Sequence, residues 1–306
     1  MNTQTQPTGD GALATESPDP RFAAIDTMSV AELAHMMNRE DASVPHRVEA
    51  AMGQIVPAIE AACERMIAGG RLLYVGAGTP GRIGVLDASE IPPTFSTPDR
   101  VVGIIAGGER AIVDAIEGAE DDAQAGARAV EDAAVGPLDT VIGIAASGRT
   151  PYVVEAVKRA RELGALGIGL TCNERTALSD AAEYPIEVLV GPEMISGSTR
   201  LKAGTAQKLV LNMFSTIAMI RLGKTYGNLM VDVRPTNAKL RRRAARIAAE
   251  ISGAERETVE QALTEADYSV PVAVLMLRQG LTATEAKEAL GAADGRLREA
   301  LREKGA

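Results

Sequence analysis

Tryptophan is absent, and aromatic residues make up only 3% of the chain. With so few rings, the core must be built from Ala, Val, Leu, Ile and Met. Stacking platforms for nucleic-acid bases are excluded. A net charge of −9 also repels a phosphate backbone, so nucleic acid is not an expected partner. The two cysteines, Cys63 and Cys172, are far apart and neither has a Cys neighbour. This excludes a disulfide framework and fits reduced thiols in a cytoplasmic protein. The two histidines, His35 and His46, lack metal-ligand spacing, so no zinc site is expected. Long apolar runs are missing as well. The longest candidate, 209–220, is broken by Asn212 and Ser215-Thr216 and is too short to span a bilayer. The opening MNTQTQPTGDG has neither a basic stretch nor an apolar one, so no export signal is expected there.

What is present is an alternation. Short apolar runs occur at 72–76, 101–105, 140–145, 166–170 and 186–190. Helical patterns fall at about 108–134, 151–163 and 203–222. Strand–helix–strand repetition with glycine-punctuated strands predicts an α/β fold with a doubly wound, mainly parallel sheet and helices on both faces. Ligands in such sheets bind outside the carboxyl ends of the strands. Before the sheet, residues 1–14 are polar and expected to be disordered. Residues 15–28 form an arm that Pro18 and Pro20 keep from being one helix. Ser29 and Glu32 make a capping box for a helix to about Asn38, and a second helix is expected over 44–67. From Arg241 onward, Ala-, Arg- and Glu-rich segments at about 255–265, 270–279 and 283–290 predict a small all-α piece. The arginine run 241–243 reads as a solvated helix face.

Three loops carry chemistry. After the first strand come Gly78, Thr79, Pro80 and Arg82, and after the third come Ser147, Gly148, Arg149, Thr150 and Pro151. Glycines and hydroxyls that open a helix supply N–H and O–H donors for a phosphate, and two such loops in one sheet are more informative than one. The third loop, Ser198, Thr199, Arg200 and Lys202, precedes the helix at 203–222. Cations there oppose the helix dipole, so an anion is expected to compensate them. Lys202, Thr205 and Lys208 are spaced to share a helix face. Among carboxylates, Glu90 is flanked by Ile91, Pro92 and Pro93, an apolar setting that would raise its pKa. Glu120 lies in an acidic run with Glu117, Asp121 and Asp122, which by itself reads as a solvated helix face.

These stretches resemble the N-acetylmuramic acid 6-phosphate etherases, which carry a sugar isomerase (SIS) domain. The likeness runs through GAGTPGRIGVLDASEIPPTF at 76–95, IAGGERAIVDAIEGAEDD at 105–122, GIAASGRTPYV at 143–153, GSTRLKAGTAQKLVLNMFST at 197–216 and YGNLMVDVRPTNAKL at 226–240. It also includes the arm at 15–26. The resemblance implies cleavage of a D-lactyl ether to give N-acetylglucosamine 6-phosphate and D-lactate in cell-wall recycling, without metal or organic cofactor. It implies catalytic roles for Glu90 and Glu120, a phosphate on Thr79, Ser147, Gly148 and Thr150, and a homodimer. Arg200 or Lys202 is the cation expected for the lactate carboxylate. The implied division is an arm with helices at 15–53, the SIS domain at 54–223, and a connecting segment with C-terminal helices at 224–306. Two departures stand out: Pro80 replaces the usual serine, and Asp19 stands where asparagine is common. Two other readings are a non-catalytic sugar-phosphate sensor, which would need the phosphate loops but neither glutamate, and a sugar-phosphate isomerase, which would not need an acid for a leaving group.

Overall fold

The computed structural model describes residues 13–302 apart from 234 and 236. The tail expected over 1–14 therefore lies outside the described residues except for Leu13 and Ala14. The arm makes three single turns of 3-10 helix, Ala14–Glu16, Pro20–Phe22 and Ile25–Thr27. Helices α1 (Val30–Asp41), α2 (Val44–Ala50) and α3 (Met52–Ile67) follow, and the capping box on Ser29 and Glu32 is formed as read. The predicted second helix is thus split in two at Ala51, the cap shared by α2 and α3.

The α/β unit runs β1 (Leu72–Gly76), α4 (Gly78–Phe95), β2 (Val101–Ile105), α5 (Arg110–Val113), α6 (Ala123–Asp132), β3 (Thr140–Ile144), α7 (Pro151–Glu162), β4 (Leu166–Thr171), α8 (Ala177–Ala181), β5 (Tyr184–Glu187) and α9 (Lys202–Arg221). All five strands are parallel, in the order β2-β1-β3-β4-β5. Strand alternation sends side chains into two cores. Leu72, Tyr74, Ile142 and Ile144 join α2, α3, α4 and α9 on one face. Leu73, Val75 and Val141 join α6, α7 and α8 on the other. Helices therefore cover both faces, as the apolar runs predicted.

Two boundaries differ from the sequence reading. The long helix expected over 108–134 is two short helices with turns at 114–122, because Gly118 takes φ 74 and Asp122 caps α6 instead of continuing a helix. The last strand is Tyr184–Glu187 rather than 186–190; Val188 and Val190 are buried beyond its end, with Val188 N still donating to Thr171 O (2.9 Å).

The chain ends in a hairpin, β6 (Thr225–Tyr226) with β7 (Leu229–Met230), and helices α10 (Ala238–Ser252), α11 (Arg256–Glu265), α12 (Val270–Gln279), α13 (Ala283–Ala292) and α14 (Leu297–Ala300). These have a core of their own, which includes Ile247, Leu263 and Leu275. Among the described residues no helix is long and apolar enough to cross a membrane.

Candidate functional site

Strands β1 and β3 are neighbours, but their following helices leave to opposite faces of the sheet. That reversal opens a crevice at their carboxyl ends, the place where doubly wound sheets bind ligands. Helix α4 begins at its rim. A Cβ on Gly76 would lie 2.6 Å from the nitrogen of Gly81, so only glycine lets the first turn of α4 settle on the end of β1. Gly78 opens the helix at φ 55. Pro80 stands in this first turn, where backbone N–H groups have no intrahelical partner. The helix loses no bond to proline, but the turn offers an anion one N–H fewer.

Across the crevice, Gly148 has φ 66, and a Cβ there would fall 2.2 Å from Thr176 Oγ1. Arg149 N donates to Ser147 Oγ (3.2 Å). Thr150 is the N-cap of α7 yet does not spend its hydroxyl on the cap, and Pro151 is the first helical residue. The third loop reaches the same place. The Thr79 methyl and the Thr199 carbonyl oxygen both lie 3.5 Å from where a Cβ on Gly204 would stand. Thr79, Thr199 and the start of α9 are thus gathered around one glycine.

Glu120 is held at this end of the sheet too. Its carbonyl accepts from Tyr152 N in the first turn of α7 (3.0 Å). With Gly78, Arg82 and the turns at 114–121 it lines a cavity of about 480 Å³. The acidic run is exposed, as expected, but it lies on turns rather than a helix, and Glu117, Glu120 and Asp121 border this cavity. Arg82 has a different task from the one its loop suggested: Nε and Nη2 donate to the carbonyls of Ile112 (3.0 Å) and Asp114 (2.9 Å), fastening that wall to α4.

Lys202, Thr205 and Lys208 do not share a face. Steps of three residues drift by about 60° on a helix of 3.6 residues per turn, and Lys202 is buried while Thr205 and Lys208 are exposed. Lys202 Nζ is paired with Glu40 (3.0 Å). Its backbone N–H and that of Ala203 are capped by the buried carboxylate of Glu193, at 3.1 and 2.9 Å. Burial pushes the Glu193 carboxyl up, and the two N–H bonds offset only part of that. Arg200 remains exposed beside Ser198 and Thr199.

Glu90 sits elsewhere. It is exposed on α4, and the apolar enclosure expected from Ile91 and the prolines is not formed by this chain: Ile91 turns inward, away from it. Thr79 to Glu90 is eleven residues of continuous helix, or ~16 Å along the axis at ~1.5 Å per residue. One turn before Glu90, the buried Asp87 accepts from Tyr74 Oη (2.8 Å), Asn212 Nδ2 (2.5 Å) and Ser215 Oγ (3.2 Å). Burial, then the Asp87 carboxylate, hold the Tyr74 hydroxyl well above its usual pKa.

Sequence reading missed the contribution of the arm. Thr15 is fully buried. Asn173 Nδ2 donates to Thr15 Oγ1 (3.0 Å) and to the Ala146 carbonyl (2.9 Å), next to Ser147. Gly197 N donates to Thr15 O (3.0 Å), and Ser196 Oγ to Glu16 O (2.6 Å). The arm therefore ties the second and third loops together. Only the alternation of prolines marked it as an element in need of a docking place.

Comparison with known proteins agrees with the fold. The SIS domain model matches residues 122–217, and the model of the glucokinase regulatory protein N-terminal SIS domain matches 54–161. A phosphoheptose isomerase from Francisella tularensis shares the fold, with a TM-score of 0.50 at 20% identity over 62% of this chain and 98% of that one. The N-acetylmuramic acid 6-phosphate etherase of Streptomyces avermitilis is 55% identical over 94% of this chain and 93% of its own. The chain belongs to the N-acetylmuramic acid 6-phosphate etherase family. Etherases of Rubrobacter xylanophilus and Mycolicibacterium smegmatis are 54% and 51% identical, over 96% and 95% of this chain and 97% and 98% of theirs. Of the two departures from the etherase pattern, Pro80 alters the crevice itself. Asp19 is structural: it caps the turn at Pro20 and pairs with Arg21 (2.7 Å), which reaches on to Glu40 (2.8 Å).

Proposed function

We propose that the crevice between β1 and β3 holds N-acetylmuramic acid 6-phosphate and that the chain cleaves its D-lactyl ether, giving N-acetylglucosamine 6-phosphate and D-lactate in peptidoglycan recycling. The observation that carries this reading is the convergence of three hydroxyl-rich loops with Glu120 at one end of the sheet, in a member of the etherase family.

The chemistry follows from the substrate. An alkoxide is a poor leaving group, so direct displacement of the ether is slow. In the open-chain form, the aldehyde at carbon 1 acidifies the proton on carbon 2. A carboxylate removes that proton. The electron pair forms the carbon 2–carbon 3 double bond as the carbon 3–oxygen bond breaks, and a carboxylic acid protonates the departing lactate oxygen. Water then adds to carbon 3 while carbon 2 regains a proton. Two carboxyl groups suffice. Glu90 is the donor to the lactate oxygen and Glu120 the second catalytic group. Thr79, Ser147, Gly148 and Thr150 hold the phosphate, with Gly78, Arg149, Ser198 and Thr199 beside them. Arg200 receives the lactate carboxylate, while Lys202, paired with Glu40, sets the start of α9.

The site is composite. Phosphorus and carbon 3 of a hexose 6-phosphate are ~6 Å apart at bond lengths of ~1.5 Å, so Glu90 cannot reach a sugar whose phosphate rests near Thr79 of its own chain. A second copy brings its own Glu90 to the crevice. The faces for pairing are there. Leu86 on α4, Ile217 and Ile220 on α9, and Val56 and Ile67 on α3 are exposed, and α1 buries none of its residues although Val30 is 83% exposed. The division at 223/224 agrees with the separate core of the C-terminal helices, and a cytoplasmic location suits a phosphorylated substrate.

Incubation with N-acetylmuramic acid 6-phosphate, with D-lactate as the readout, tests the activity. Lactate release stoichiometric with substrate loss is expected; a chain that binds the substrate without releasing lactate is a sensor. Sedimentation should give a species of twice the 31.9 kDa chain mass, and a monomer at micromolar concentration contradicts the composite site.

A further inference from the structure

Arg241 and Arg242 are exposed on α10, as the sequence predicted, and they also border a cavity. Between α10 and α11 lies a space of about 540 Å³ bordered by Arg241, Arg242, Arg246 and Arg256. Its apolar lining includes Ala245, Ala249 and Leu263, and Tyr268 stands at one side with the Arg241 guanidinium 4.9 Å from its ring centre. It shares no lining residue with the cavity at Gly78 and Glu120.

The placement of charge here is unfavourable for the protein alone. Arg242 and Arg246 are one turn apart on α10, where like charges repel. Arg256 is the first residue of α11, where the helix dipole disfavours a cation. The one carboxylate lining the cavity, Glu260, is already taken by Arg256 at 2.7 Å. Among the described residues Arg242 and Arg246 have no ion-pair partner. An anion in the cavity would relieve the repulsion between Arg242 and Arg246 and give both a partner. Guanidinium forks match phosphoryl oxygens in pairs, and a concave, mostly apolar wall with a few convergent polar groups is the usual form of a small-molecule site.

We propose that the C-terminal helices carry a second, non-catalytic site for a small phosphorylated metabolite. Its phosphoryl group rests on Arg242, Arg246 and Arg256, and its body lies against Leu263 and Tyr268. The inference stands apart from the reading of the crevice, since it uses none of the same residues.

The test is calorimetric titration of the full-length protein with inorganic pyrophosphate, for the wild type and for the Arg242→Ala/Arg246→Ala double variant. Both positions are exposed, and thermal melting checks that the variant remains folded. Should it not, Arg242→Gln alone replaces it. The expected result is a pyrophosphate site that the double variant weakens by at least about tenfold, that Arg242→Lys/Arg246→Lys restores in part, and lactate release in the absence of pyrophosphate equal to wild type. Equal binding by wild type and variant, or binding abolished only by changes at Ser147 and Thr150, overturns the proposal and leaves these arginines as solvated surface.

Discussion

Lys202, the first residue of α9, places its amino group 3.0 Å from the Glu40 carboxylate near the end of α1, with the lysine side chain only 4% exposed. Glu40 also accepts from Arg21 at 2.8 Å. Arm, first helix and third loop are thereby joined through one carboxylate. Breaking a buried pair by removing one partner leaves the other charge uncompensated. Glu40→Gln leaves Lys202 buried without its partner and should lower stability by about 3 kcal/mol. Lys202→Met should cost less because Glu40 keeps Arg21, and the double variant should cost clearly less than their sum. Urea unfolding of the three proteins measures this; strict additivity would mean that the two groups do not interact.

A pH effect follows from Asp139. Burial pushes its carboxyl up, but bonds from the Arg71 side chain and the N–H groups of Gly136 and Arg71 outweigh that and hold it below the usual value of 3.8. A carboxyl with a depressed folded pKa contributes stability above its ordinary value and loses it as pH falls through the folded one. Asp139→Asn should cost about 2 kcal/mol at pH 7, with the deficit shrinking towards pH 3. A deficit constant over that range would place its origin in packing.

Asp87 should matter more than its three bonds suggest. It fastens α4 to α9 one turn before Glu90. Asp87→Ala removes the acceptor of the Asn212 amide and leaves the hydroxyls of Tyr74 and Ser215 only long bonds to the carbonyls of Leu211 (3.4 Å) and Asn212 (3.5 Å), at a cost of about 3 kcal/mol. Tyr74→Phe removes one donor only and should cost about 1 kcal/mol. Melting temperatures in the reverse order would contradict this ranking.

The sheet was legible because its central strands β1, β3 and β4 are apolar runs buried on both faces, as Leu72 to Val75 are. The loop before α7 was legible as a helix start because Gly148 and Thr150 are local signals of one. Partnership across the chain was not. Thr15 meets Asn173, 158 positions away, and Glu40 meets Lys202, 162 positions away. No local pattern marks such pairs. The fate of Glu90 was misjudged for a related reason: adjacency to Ile91 and two prolines says nothing about which side of α4 each residue takes. Residues 108–134 read as one helix because Ala and Glu favour helices, while Gly118 and the cap at Asp122 decide otherwise.

Pro80 offers a gain of function. Pro80→Ser returns an N–H and a hydroxyl to the first turn of α4, where no intrahelical bond competes for them. The KM for the phosphorylated substrate should fall by about 5–10-fold, as one added hydrogen bond to a charged group allows. The kcat should be unchanged. An unaltered KM would show that the phosphate does not draw on this position.

Mixing two inactive variants tests the composite site most directly. Glu90→Gln and Glu120→Gln homodimers should each lose about 10²–10⁴ in lactate release. After the two are unfolded, mixed in equal amounts and refolded, half of the dimers are mixed, and each mixed dimer has one site with both glutamates intact. If Glu90 and Glu120 of one site come from different chains, about one quarter of the wild-type rate should return. A mixture no more active than either variant alone would contradict the shared site and return both carboxyl groups to a single chain.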